Sequence, residues 1–203
     1  MPSIITLDDL HRLIAAMGAQ AQEDIEWAES ICPPATPESF ALEAIFVICN
    51  SGMKNTVARR IFERVCSALH DRRPVVEVFK HLGKVAAIES IWSKKERLHQ
   101  QWVALNGQPL KQLEFCAGLP WIGGITKYHL AKNFGADVAK ADVHLQRLAD
   151  REGCTAQQLC ARLARASGLR IATVDTLLWR ACANGLIDSR TGQLAAVHGS
   201  SHN

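Results

Sequence analysis

Asp142 stands about seventeen residues beyond the turn "LPWIGG", Leu119–Gly124, and these two features offer the clearest chemistry in the chain. Pro120, Gly123 and Gly124 permit a tight backbone path that most residues resist. A helix is predicted to begin near Gly124. The first amides of a helix lack intrahelical acceptors and carry a partial positive charge, so such a turn can hold a phosphate. Lys127 and Lys132 add positive charge close by. The same residues also describe an ordinary corner whose glycines only cap and pack. Asp142 precedes an amphipathic stretch, where a carboxylate either does chemistry or caps the helix.

The elements that must position these groups are helical. No alternating β-branched run bounded by turns is present, whereas helical periodicity recurs along the chain. Helices are predicted over 6–20, where a Thr cap precedes Asp8 and Asp9, and over 22–31, stopped by Pro33 and Pro34. They are predicted again over 37–50, broken at "NSG", and over 55–70, with Val57, Ile61, Val65 and Leu69 inward and Arg59, Arg60 and Arg64 outward. Shorter ones follow at 75–82, 84–92, 94–105, 109–117, 124–134, 142–151, 155–167 and 171–185. The Gly-, Ser- and His-rich tail, 188–203, is expected to be disordered.

Composition narrows the class. Of 203 residues, 48% are hydrophobic and 21% charged, and no apolar run reaches the ~20 residues of a membrane span. The first ten residues lack a secretory pattern, so an intracellular (cytoplasmic) setting is expected. Seven cysteines include no Cys-x-x-Cys pair, and no histidine has a ligand partner at metal spacing, so neither a disulfide framework nor a structural metal is expected. The net charge of +3 conceals an asymmetry: residues 1–50 carry eight acids against the single base Arg12, and the rest of the chain is basic. Such a distribution suits a face for a polyanion, or a solvated surface.

The residues "LPWIGGIT…ADVHLQR" resemble the helix-hairpin-helix DNA glycosylases, the superfamily of endonuclease III, the mispair-specific adenine glycosylase and the alkyladenine and 8-oxoguanine glycosylases. Leu119, Pro120, Ile122, Gly123 and Thr126 match the pattern Leu-Pro-Gly-Val-Gly-x-x-Thr-Ala, and Asp142, His144, Leu145 and Arg147 match Val-Asp-x-His-Val-x-Arg. The hairpin alone occurs in polymerases and ligases too; a spaced Asp-x-His makes it more specific. The resemblance is nearest to the 8-oxoguanine enzymes. It implies an all-α fold of two interleaved helical lobes with a cleft between them, forming one domain over 1–187 with the hairpin at 113–134. It further implies a monomer acting without a cofactor on double-stranded DNA that contains a damaged base. In such enzymes the hairpin amides grip a backbone phosphate while the aspartate faces an everted nucleotide. Breaking an N-glycosidic bond develops positive charge on the sugar, which a carboxylate stabilises, and Asp142 would be that catalytic group. Gly123, Gly124, Thr126, Lys127 and His144 would be DNA contacts by the same token.

Three departures from the pattern are visible. Trp121 replaces the first hairpin glycine, so a left-handed position there would alter the turn; its indole would pack on the DNA backbone or anchor the core. Ile125 stands where bifunctional members place a Schiff-base lysine, and Lys127 is about 200° round the helix from it. Lys140 is the other lysine at hand, so the expectation is a monofunctional enzyme with lyase activity open. The four-cysteine iron–sulphur loop of endonuclease III is missing.

The resemblance also suggests where a base is read. Asp175 and Trp179 lie four apart in "IATVDTLLWRACANGL", hence on one helix face. A carboxylate can accept paired N–H donors of a guanine-type edge while an indole stacks on the ring, which favours a purine, 8-oxoguanine first. A capping or paired Asp beside a core Trp is the plainer alternative. In "VICNSGMKNTVARRIF", Met53 would be the wedge that fills the vacated stack, with Asn50 and Lys54 on the opposite base or phosphates. A simple helix stop is the competing possibility. A helix-hairpin-helix DNA-binding module without catalysis, its Asp142 only a cap, is the rival function.

Overall fold

The computed structural model describes residues 5–195, and the fold is all-α. The chain divides into two units. One is continuous, 32–136; the other joins the two ends of the chain, 1–31 and 137–203, so that one unit is inserted into the other along the sequence.

The unit built from the chain ends contains α1 (Leu7–Met17), α2 (Ala19–Ser30), α9 (Val143–Arg151), α10 (Ala156–Ser167) and α11 (Ile171–Ala183). The predicted 6–20 helix stops early because Gly18 takes φ +55°, a left-handed conformation that glycine tolerates best. Thr6 caps α1 as expected, in a reciprocal capping box with Asp9. Helix α11 is the axis of this unit: α1, α2, α9 and α10 all pack on it, and Ala172, Val174, Leu177, Leu178 and Ala181 are buried there. Asp24 of α2 receives both Nε and Nη2 of Arg180 at 2.8 and 2.9 Å, fixing the α2–α11 register with a bidentate pair.

The expected disordered tail is corrected over 188–195. Ile187–Asp188 and Gln193–Leu194 form a two-stranded antiparallel hairpin, β1 and β2, with Ile187 opposite Leu194. Asp188 closes it by accepting the Arg190 amide at 2.8 Å, and Ile187 joins the core. The remainder of the predicted tail, 196–203, lies outside the described residues.

The inserted unit contains α3 (Pro37–Asn50), α4 (Asn55–His70), α5 (Leu82–Ser93), α6 (Lys95–Ala104), α7 (Pro109–Ala117) and α8 (Thr126–Asn133). Its axis is α3, buried at Phe40, Ala41, Ala44, Ile45, Val47 and Ile48. Phe40 stacks on Phe134 at 4.6 Å, and the fully buried Trp102 tilts against Phe134 at 4.9 Å. On α4 the inward row is Ala58, Ile61, Val65 and Leu69; Val57, expected inward, is exposed because Ala58 takes the inward position of the first turn. The helix predicted over 75–82 is a single 3-10 turn, Val75–Glu77. Three β-branched residues, Val75, Val76 and Val78, disfavour a longer helix, and His81 begins α5 by accepting the Lys84 amide.

Among the described residues no helix is long and apolar enough to cross a membrane, and no group of side chains could hold a metal ion.

Candidate functional site

The hairpin is formed by α7, the turn 118–125 and α8. Helix α8 starts at Thr126, two residues later than the sequence predicts, so more of the turn is left without helical partners. The Gly123 amide is already used: it donates to Thr126 Oγ1 at 2.7 Å, and the Lys127 amide returns to the Gly123 carbonyl at 3.0 Å. The amides of Gly124, Ile125 and Thr126 have no acceptor among the described residues. These three, rather than Gly123, are the donors available to an anion. Ile125 is 72% exposed, and Lys127 Nζ lies 5.2 Å from the Tyr128 ring.

Trp121 takes a left-handed conformation, with φ +67°. That conformation costs a non-glycine residue about 1–2 kcal/mol. The indole is neither in the core nor free of the protein. It is 43% exposed, lies against Gly83, and meets His81 edge-on at 5.0 Å. A Cβ on Gly83 would fall 2.6 Å from the Trp121 ring, so only glycine admits this approach without movement.

In the same unit, Met53 occupies the turn between α3 and α4, half-buried, with its amide donated to the Asn50 carbonyl at 3.1 Å. Asn50 Oδ1 is buried without a hydrogen-bond partner among the described residues. Lys54 is exposed at the α4 N-terminus. Beneath this turn lies a residue that the sequence reading passed over. Lys84 is 3% exposed, and its ammonium donates to the carbonyls of Ser51 at 2.6 Å and Cys49 at 3.2 Å. Burial holds this amine below the usual lysine range. A signal for it existed: Lys84, Ile88 and Ile91 share one face of α5.

The carboxylate belongs to the other unit. Asp142 is the N-cap of α9, and its Oδ1 accepts the amides of His144 at 2.9 Å and Leu145 at 3.0 Å. Oδ2 carries no hydrogen bond among the described residues. The segment that delivers it is pinned by side chains. The Ala139 amide donates to Gln157 Oε1 at 2.8 Å, and Asp137 Oδ1 accepts the Ala172 amide at 2.9 Å. Asp175 Oδ1 accepts the Lys140 amide at 3.0 Å, and the Lys140 carbonyl in turn accepts the Asp142 amide at 2.8 Å. One residue, Lys140, therefore links the two aspartates singled out in the sequence. Asp175 is only 4% exposed, as a group holding a loop from inside must be, whereas Trp179 is 40% exposed with the Arg180 guanidinium 5.1 Å from its ring. His144 Nδ1 lies 3.0 Å from the buried Ser189 Oγ, which ties α9 to the terminal hairpin. Gln157 and Asp137 carried no sequence signal, because their partners are backbone amides far along the chain.

Taken together, these helices, with a helix-hairpin-helix and an aspartate at the head of the next helix, define an all-α class. No protein-family model matches the chain, and no curated protein matches it. Among solved structures the chain is similar to the 8-oxoguanine DNA glycosylase of Thermotoga maritima, at 18% identity, over 92% of this chain and 98% of that one, with a TM-score of 0.58. The likeness is one of fold: the chain has the architecture of that glycosylase.

Proposed function

We propose that the protein is a DNA N-glycosylase that everts a damaged purine, 8-oxoguanine being the first candidate, and hydrolyses its bond to deoxyribose. The observation that carries this reading is the state of Asp142. Its segment is pinned from three sides and one carboxylate oxygen remains beyond the capping bonds, in a chain folded like a DNA glycosylase.

The chemistry follows from charge. The glycosidic electron pair leaves with the base, the sugar becomes oxocarbenium-like, and water supplies the oxygen that completes the anomeric carbon. A carboxylate at that carbon offsets the developing charge and orients the water. The amides of Gly124, Ile125 and Thr126, with Lys127, would hold a phosphate of the damaged strand. Met53 would enter the vacated stack, and Asn50 and Lys54 would face the opposite strand. Trp179 would stack on the everted ring, and Asp175, besides holding Lys140, would accept N–H donors from the base edge. Ile125 offers no amine where a lyase would need one, so base release without strand cleavage is the proposed outcome, with Lys127 and Lys140 the residues to check by borohydride trapping.

A second reading, a DNA-binding module without catalysis, is favoured by the two amide bonds that make Asp142 a complete N-cap. One screen separates the two. Duplexes carrying 8-oxoguanine, hypoxanthine, uracil or methylated adenine are incubated with the protein and then treated with alkali. Alkali-labile abasic sites at a purine lesion, with intact strands before alkali, are expected. Binding without base release from any of the four would leave only the module.

A further inference from the structure

Two segments of the inserted unit, the hairpin turn and the α3–α4 turn, are tied to the first turn of one helix. Trp121 of the hairpin lies on Gly83 and against His81. One residue further on, Lys84 holds the carbonyls of Cys49 and Ser51, the end of α3 from which the Met53 turn departs. Within the span His81–Lys84, three residues thus serve the two segments: His81 and Gly83 meet the hairpin, and Lys84 holds the α3–α4 turn.

The choice of lysine here is chemically expensive. A buried ammonium without a carboxylate loses its hydration, and no acid pairs with Lys84 among the described residues. It is offset by the negative end of the α3 dipole and by two carbonyl oxygens, with the Phe79 ring 5.9 Å away. Three donors on a long stem can fix the carbonyls of two different residues at once. A methionine of similar length would fill the same space and fix neither.

We propose that Lys84 is a positioning residue. Its ammonium clamps the α3 C-terminus so that the Met53 turn is presented to the duplex in register with the hairpin that Trp121 braces on Gly83. The proposal rests on the DNA reading above, though not on catalysis.

The test uses the full chain and a duplex with 2-aminopurine beside the lesion, whose emission rises when the stack opens. In Lys84→Met, duplex affinity should stay within about threefold of wild type. The 2-aminopurine rise should be lost, and single-turnover base release should fall between about tenfold and a hundredfold, the effect of a small misplacement. Lys84→Gln keeps two N–H donors and should recover most of both. Should Lys84→Met fail to fold, Gly83→Ala attacks the same brace at its other end and should lose the emission rise by a larger factor than it loses affinity. Variants equal to wild type in both readouts, or losing affinity in proportion to rate, would overturn the proposal, as would a wild type that never unstacks 2-aminopurine. A wild type that releases no base but unstacks it in a Lys84-dependent way would remove the glycosylase reading and leave the clamp standing.

Discussion

Asp142→Asn should slow single-turnover base release by at least about a hundredfold, the range found when one stabiliser of transition-state charge is removed. Duplex affinity should stay within about threefold, because none of the proposed phosphate donors is touched. Asparagine is the informative replacement for a structural reason. The two capping bonds both end on Asp142 Oδ1, and an amide oxygen can accept them in the same places. Asp and Asn are equivalent caps, so folding stability should hold within about 1 kcal/mol. What the substitution removes is the negative charge and the second oxygen. Asp142→Ala would confound the experiment, since a lost cap costs about 0.5–2 kcal/mol by itself. Unchanged base release in Asp142→Asn, measured by quenched-flow or manual gel assay, would reduce Asp142 to a cap.

Asp175→Ala is the second large effect. It leaves the Lys140 amide without its acceptor in a half-buried loop, which should lower stability by about 1–3 kcal/mol in urea denaturation. Because the Lys140 carbonyl accepts the Asp142 amide, the segment carrying Asp142 loses its support, and on the proposed function release of the preferred purine should fall far more than duplex affinity. Asp175→Asn separates the two tasks assigned to this residue. Its amide oxygen can accept the Lys140 N–H and restore stability, but it lacks the negative charge that the proposed contact with the N–H donors of a base edge would use. Restored stability with a lost preference among lesions is therefore expected. Recovery of both would mean that Asp175 only holds the loop.

Much of the architecture was legible because it depends on local physics. The Thr6 cap, the stop at Pro33 and Pro34, the α4 stripe apart from Val57 and the all-α class follow from caps, breakers and periodicity. Gly18 was misjudged as part of a longer helix because a lone glycine inside a helical pattern is often tolerated. The terminal hairpin was missed because its turn residues, Ser189–Gly192, read equally well as a loose tail; only the pairing of Ile187 with Leu194 turns them into structure. At the candidate site, Asp142 and the hairpin turn could be found from spacing. What spacing cannot give is the bonding that differs from the pattern. Gly123 spends its amide on Thr126, Trp121 adopts a glycine conformation over Gly83, and Lys84 works from inside. Each depends on a partner that the linear pattern does not name.

On the proposed function, the strand held at the hairpin amides is the strand that loses its base at Asp142. Ethylation interference with Asp142→Asn protein on a lesion duplex tests it most directly, since ethylating a phosphate removes its charge. Ethylation should block binding at phosphates within one or two nucleotides of the lesion, on the lesion's own strand. Interference on the undamaged strand alone, or at positions that do not move when the lesion is moved, would contradict it.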